Sequence, residues 1–259
     1  MIEISIVLPT LNEGENLQIL VPDIQKELKK IEINSFEIII VDDGSKDNSK
    51  KIVGDLTNTY GNVQFIERTG EKSLPLSILE GIKNSQFSYV MWLDADGSMP
   101  ADTVKELITE QVKSPESVII GSRFVKGGGY KGIKKGEKTS FFQSLNNIYN
   151  SEDSILAVFL SKIFNQLLNR ILRIGVKDLT SGFIIGKKEY FDEEAFIDAS
   201  YGDYFIKLML ILKTKSITCK EVPYVCETRI FGESKTGSNY LQLFKRGLPY
   251  LKLAFKLKK

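Results

Sequence analysis

The chain has 259 residues, 42% of them hydrophobic, with a formal charge of only +2. That length fits one large α/β domain or two small ones, and the apolar content excludes a disordered chain. Histidine is absent and Cys219 and Cys226 are the only cysteines, which excludes a His general base, a Ser-His-Asp triad and His-ligated zinc, and points to a reducing compartment.

Apolar runs and amphipathic segments alternate through the first half. A strand is expected over residues 4–8, then a helix from Asn12, where Asn12 and Glu15 have the spacing of a capping box. Residues 36–41 read as the second strand, with Asp47 or Asn48 capping the helix after it. Further strands are expected over 63–67, 89–93 and 118–121, and helices over 76–84 and 102–113. Strands alternating with helices of this length indicate βαβ units and a mainly parallel sheet. Residues 126–151 are polar, open with Gly127-Gly128-Gly129 and read as a long mobile loop. Helices over 154–172 and 201–212 and a strand over 217–225 follow.

Two strand ends carry acids. Tyr89-Val-Met-Trp-Leu-Asp94-Ala-Asp96-Gly97 is an apolar run that ends in two carboxylates one residue apart. Side chains alternate along a strand, so Asp94 and Asp96 are expected to emerge together at its carboxyl end, where open α/β sheets bind ligands. Two hard oxygen donors suit a divalent cation that takes its other ligands from water and substrate phosphate; the bland alternative is a solvated loop. Ile40-Val41-Asp42-Asp43-Gly44-Ser45 delivers a second acidic end, where an acid can accept from a base or ribose. The expectation is that Asp43 caps its own turn and Asp42 does not. No G-x-G-x-x-G follows the first strand and no G-x-x-x-x-G-K-[ST] exists, so neither an NAD-type Rossmann site nor a P-loop is expected.

Pro9-Thr10-Leu11-Asn12-Glu13, Val41-Asp42-Asp43-Gly44-Ser45 and Asp94-Ala95-Asp96 resemble the nucleotide-sugar site of family 2 glycosyltransferases. Gly121-Ser122-Arg123-Phe124 with Gly127-Gly128-Gly129, Val176-Lys177-Asp178-Leu179-Thr180-Ser181-Gly182-Phe183, and Glu221-Val222-Pro223 followed by Arg229-Ile-Phe-Gly232-Glu233-Ser234-Lys235 are similar to dolichyl-phosphate mannosyltransferases and other polyprenyl-phosphate glycosyltransferases. The resemblance spans roughly residues 3–240 in collinear order.

It implies a GT-A fold, an α/β arrangement with a mainly parallel twisted sheet and helices on both faces, over residues 1–239. It implies an inverting, metal-dependent transfer of a hexose, mannose or glucose, from a GDP- or UDP-sugar to a polyprenyl or dolichyl phosphate. Pro9, Leu11, Glu13 and Val41 would border the nucleotide, with Asp42 on the base. Asp94 and Asp96 would hold Mg²⁺ or Mn²⁺ against the diphosphate, with Ser98 at the position of a third ligand. Arg123, Arg229, Ser234 and Lys235 would bind phosphates, and Ser181 would sit near the acceptor. The bland alternatives are a surface ion pair for Arg123 and a surface turn for residues 229–235.

The chemistry is consistent with that set. A departing diphosphate gains charge, which a cation, Arg and Lys stabilise. A lipid phosphate acceptor is already an anion and needs no base. A hydroxyl acceptor needs a carboxylate base, for which Asp178 and Asp203 are the candidates; their alternatives are a turn or cap residue and a helix N-terminal charge. The chain departs from the family pattern at Ser98, where a Gln is usual, at Ser73-Leu74-Pro75, where Gly-Leu-Gly is usual, and at Lys207, where an acid is common. The first two motivate a further alternative, a nucleotide-sugar-binding protein without turnover.

Residues 240–259 hold six Lys and Arg and no acid, leaving the rest of the chain net acidic. Leu241, Phe244, Leu248, Leu251 and Phe255 recur among these charges at spacings of three and four. This basic amphipathic tail either lies on an anionic leaflet or packs on the body. With no signal peptide and no apolar run near the length of a membrane span, a cytoplasmic protein, peripheral at the membrane's cytoplasmic face, is expected, with no nucleic-acid partner.

Overall fold

The computed structural model describes residues 2–130, 155–229 and 231. Its strands are β1 (Ile4–Thr10), β2 (Phe36–Asp42), β3 (Val63–Glu67), β4 (Tyr89–Trp92), β5 (Val118–Ser122), β6 (Gly129–Tyr130), β7 (Ile184–Lys187), β8 (Cys219–Pro223) and β9 (Val225–Cys226). Its α-helices are α1 (Gly14–Lys30), α2 (Ser49–Thr59), α3 (Leu74–Asn84), α4 (Ala101–Lys113), α5 (Ile155–Leu172) and α6 (Asp203–Thr214). Seven strands form one sheet in the order β3-β2-β1-β4-β7-β5-β8, and β6 pairs with β9 in a small parallel ribbon.

Every residue of β1 is buried, because β2 and β4 flank it in parallel and helices cover both faces. Such a strand needs apolar side chains on both sides, which explains its continuous hydrophobic run. Side chains alternate between the layers. Ile4, Ile6 and Leu8 face α1, α2 and α4 through Leu17, Ile24, Val53 and Leu107. Val7 faces the layer containing Ile78 and Ile82 of α3 and Met209 and Leu212 of α6. The approach of α3 to β1 is close enough that a Cβ on Gly81 would lie 2.3 Å from Val7 Cγ1.

The mainly parallel sheet with two helical layers matches the expectation, and β7 departs from it. Residues 184–187 run antiparallel between β4 and β5. Their predecessor, Ser181-Gly182-Phe183, reads as a motif rather than a strand entrance, and the strand itself is only four residues long. The expected strand over 217–225 divides at Tyr224, whose N–H donates to Ser122 O at 3.0 Å.

The order places the site. The chain runs from β1 outward to β2 and β3, then returns to β4 on the opposite side of β1. The loops after β1 and β4 therefore diverge, opening a crevice at the carboxyl ends where ligands bind in such sheets. Residues 131–154, 230 and 232–259 lie outside the described residues, and with them most of the expected loop 126–151, the basic tail, Ser234 and Lys235. Among the described residues no helix is long and apolar enough to cross a membrane.

Candidate active site

The acids at 94 and 96 come together through a turn. β4 ends at Trp92, and Asp94-Ala95-Asp96-Gly97 bends away from the sheet, so the pleat continuation expected from the sequence is replaced by turn geometry. Asp94 N–H donates to Met99 Sδ at 3.4 Å, and Asp96 folds back to accept from Ser98 N–H at 2.9 Å. Asp94 is half-buried. Loss of hydration first, and the adjacent Asp96 charge second, push its carboxyl up to about 7, against the pull of Arg229 and Arg123.

Across the crevice, Glu13 closes the loop after β1. Arg229 bridges the two sides: its Nε donates to Asp96 Oδ2 at 3.1 Å, and its terminal nitrogen pairs with Glu13 Oε1. Glu13 Oε2 accepts from Asn16 Nδ2 at 2.7 Å. Glu227 N–H donates to Ser98 O at 2.9 Å, tying the segment that carries Arg229 to the acidic turn. Glu13, Asp94, Asp96 and Arg229 are thus brought together from three places in the chain.

The nucleotide-side residues lie along the same edge. Pro9 and Val41 are in-register neighbours on β1 and β2, both buried, and Leu11 is half-buried just beyond. Asp42 and Asp43 exchange the behaviour expected of them. Asp42 folds its own turn, accepting from Gly44 N–H at 3.2 Å, Ser45 N–H at 3.0 Å and the Ser45 hydroxyl. Asp43 reaches out to Arg68 at 3.0 Å and to Ser73 N–H at 2.5 Å. Ser73, at the departure from Gly-Leu-Gly, is the N-cap of α3, and its hydroxyl accepts from Leu76 N–H at 3.4 Å. Asn12 does not cap α1; it has φ +56 and accepts from Lys46 N–H at 2.7 Å, stapling the loops after β1 and β2 together. Asp47 serves two helices, accepting from Ser49 N–H at 3.0 Å and Gly14 N–H at 3.2 Å.

Arg123 and Asp178 form one buried unit. Asp178 is fully buried, with both oxygens engaged by Arg123: Oδ2 accepts from its N–H and its Nε, each at 2.9 Å, and Oδ1 from a terminal nitrogen at 2.8 Å. That nitrogen also donates to Thr180 O at 2.9 Å. The guanidinium packs over the rings of Phe124 and Tyr130 at 5.4 and 5.5 Å. Burial works against its charge, but Asp178, Tyr130 and Tyr224 together outweigh it, so its pKa lies above the ordinary arginine value. Gly128 lets the chain pass over this unit, since a Cβ there would lie 2.4 Å from Ser122 O. With no exposure and both oxygens held by Arg123, Asp178 cannot reach an acceptor hydroxyl, so the geometry makes it the anchor of Arg123. Asp203, the other candidate base, accepts from Ser200 and Tyr201 N–H, each at 2.9 Å, and so holds the turn that leads into α6. The Ser181 hydroxyl donates to Gly121 O and accepts from Phe183 N–H at 3.2 Å, which makes it a hinge of the turn into β7.

Asn16 went unnoticed in the sequence. It lies on the buried face of α1 beside Leu17 and Leu20, and a polar residue three places after Glu13 on that apolar stripe was the available signal. Thr180 and Glu221 were likewise missed as supports; Glu221 accepts from Lys177 and Asp178 N–H at 2.9 and 3.0 Å.

Asp94 and Asp96 offer the hard oxygen donors that Mg²⁺ or Mn²⁺ takes. Among the described residues no group of three or more His, Cys, Asp and Glu forms a complete metal cage.

Comparison with known proteins agrees with this arrangement. The chain is 30% identical over 233 residues to a dolichol-phosphate mannosyltransferase of Pyrococcus furiosus, covering 90% of this chain and 59% of that protein. It is 27% identical over 253 residues to the Saccharomyces cerevisiae dolichol-phosphate mannosyltransferase, covering 94% of this chain and 86% of the yeast protein. The fold is similar to glucosyl-3-phosphoglycerate synthase from Mycobacterium tuberculosis, solved in complex with Mn²⁺, UDP and phosphoglyceric acid. That match has a TM-score of 0.64 and 12% identity, covering 99% of this chain and 78% of the other. The α/β architecture is accordingly that of the GT-A glycosyltransferases. The profile of glycosyl transferase family 2 matches residues 5–194, and the chain belongs to that family.

Proposed function

We propose that the protein transfers a hexose, mannose or glucose, from a GDP- or UDP-sugar to a polyprenyl phosphate, with inversion at the anomeric carbon and a divalent cation on the donor. One observation carries the reading: Asp94 and Asp96 meet Glu13 and Arg229 at the crevice where the sheet reverses its winding. Asp94 and Asp96 would hold Mg²⁺ or Mn²⁺, with Ser98 beside them. The cation would neutralise charge on the leaving diphosphate. Pro9, Leu11, Glu13, Val41 and Asp42 line the edge that would receive the nucleotide. Arg229 stands where a bidentate donor can meet phosphate oxygens.

The proton balance supports this acceptor. A phosphate oxygen attacks the anomeric carbon, the bond to the nucleoside diphosphate breaks, and the diphosphate leaves with the electron pair. No proton moves. A hydroxyl acceptor would need a base, and both carboxylates considered for it are committed, Asp178 to Arg123 and Asp203 to the start of α6. The relatives named for transfer to dolichol phosphate support the same acceptor.

The test is a panel of GDP- and UDP-hexoses, each with a polyprenyl phosphate or the corresponding polyprenol, in the presence of Mn²⁺. Hexosyl polyprenyl phosphate of inverted configuration is the expected product. Transfer only to the alcohol or to a glycan would overturn the acceptor assignment. Nucleotide-sugar binding without transfer across the panel would overturn turnover itself.

A further inference from the structure

We infer that the Arg229 guanidinium is the resident counter-cation of the acidic crevice, held there by Asn16, and that a divalent cation entering with the donor displaces it. The inference rests on the reading of Asp94 and Asp96 as cation ligands.

One guanidinium, that of Arg229, contacts both Glu13 and Asp96, with Asp94 two residues from Asp96, and like charges gathered in this way destabilise the fold unless a cation lies among them. Arg229 lies between Asp96 and Glu13. The pair is largely withdrawn from water, with the Arg229 side chain 16% exposed and that of Asp96 18%. An ion pair there cannot be broken cheaply unless another charge takes its place. Asp96 Oδ1 accepts from Ser98 N–H and Oδ2 from Arg229, so both oxygens have a partner before any metal arrives. Each oxygen keeps a further lone pair, but a second cation at Oδ2 would meet the Arg229 charge, so a cation binding Asp96 there competes with Arg229.

Asn16 fixes that position. It is 2% exposed. Its Nδ2 donates to Glu13 Oε2 at 2.7 Å and to Phe231 O at 3.2 Å, and its Oδ1 accepts from Phe231 N–H at 2.9 Å. The amide thus mimics a neighbouring strand for the peptide groups of Phe231, while orienting the carboxylate that Arg229 grips. Glu227 secures the other side of Arg229 through Ser98 O. The Phe231 ring is itself exposed. The anchor on the α1 side is therefore hydrogen bonding rather than apolar burial, and the net contribution of such bonds is modest. It can be exchanged for contacts with an incoming ligand. Asn16 is a positioning residue, and Arg229, once displaced, is left beside the diphosphate it would clamp.

Mn²⁺ binding, followed by electron paramagnetic resonance of the free ion, separates this from a merely structural role. Without nucleotide, Arg229→Gln binds Mn²⁺ about tenfold or more tightly than wild type, the coupling expected of a removed competitor. With UDP or GDP present the order reverses, because the clamp is gone. Asn16→Ala shifts Mn²⁺ affinity the same way by about threefold. In wild type, adding Mn²⁺ with UDP or GDP speeds amide hydrogen exchange in residues 227–231, a measurement that needs no variant to fold. Unchanged or weaker metal binding in both variants, or undiminished protection of 227–231, overturns the inference while nucleotide-dependent Mn²⁺ binding by wild type leaves the donor site standing. No Mn²⁺ binding by wild type with either nucleotide would overturn both.

Discussion

Asp94→Asn should flatten the pH dependence of the metal-free protein's stability. The Asp94 carboxyl titrates at about 7 in the folded protein, raised from 3.8 by lost hydration and then by Asp96. The folded state therefore holds this proton more tightly than the unfolded chain does. The contribution to stability is complete below the unfolded value and is lost as pH rises through about 7. At about 1.4 kcal/mol per pKa unit, the full shift corresponds to roughly 4 kcal/mol. Residual hydration at this partly exposed site reduces this to about 2 kcal/mol. Asparagine cannot ionise, so in EDTA the variant should match wild type near pH 4 and exceed it by about 2 kcal/mol at pH 8, or about 5 °C in Tm. Thermal unfolding between pH 4 and 8 measures this directly. Wild type alone should recover stability when Mn²⁺ and nucleotide are added at pH 8, because the cation supplies the charge that the ionised carboxylate needs. Parallel pH profiles for the two proteins would refute the enclosed, mutually repelling acid pair.

Asp178→Ala leaves the Arg123 charge buried without its partner and should cost about 3–5 kcal/mol by urea unfolding, whereas Arg123→Leu with Asp178→Leu should recover most of that loss; equal costs for the single and double variants would sink the assignment of Asp178 as an anchor. Ser181→Ala removes the hydroxyl between Gly121 O and Phe183 N–H and should cost about 1–3 kcal/mol of stability, with KM for the acceptor unchanged, and a selective rise in that KM would restore Ser181 to the acceptor site. Gly81→Ala drives a methyl into Val7 and should cost about 1–3 kcal/mol in the same unfolding assay, with transfer activity per folded molecule retained.

The sheet was legible because its central strands are buried on both faces. Such strands must be apolar throughout, and β1, β2 and β4 announce themselves as apolar runs, the last two leading into acids. β7 was not legible, because four residues after a Gly turn carry too little pattern to distinguish an inserted antiparallel strand from a loop. The acids of the site were visible, but their partners were not. Arg229 meets Glu13 across 216 positions and Arg123 meets Asp178 across 55, separations at which no local period operates. The exchange of roles between Asp42 and Asp43 has the same origin. Two adjacent carboxylates look alike in sequence, and only the placement of Arg68 and Ser73 decides which one leaves its own turn. Asn12 misled for a related reason: its spacing to Glu15 suits a cap, but a left-handed backbone turns its side chain toward Lys46.

Calorimetric titration of UDP-glucose and GDP-mannose into wild type and Asp96→Asn, each with and without Mn²⁺, tests the donor site most directly. One of the two sugars should bind wild type about a hundredfold more tightly with Mn²⁺ than without, and the variant should show no such gain. Equal, metal-independent affinity in both proteins would contradict a cation held by these carboxylates.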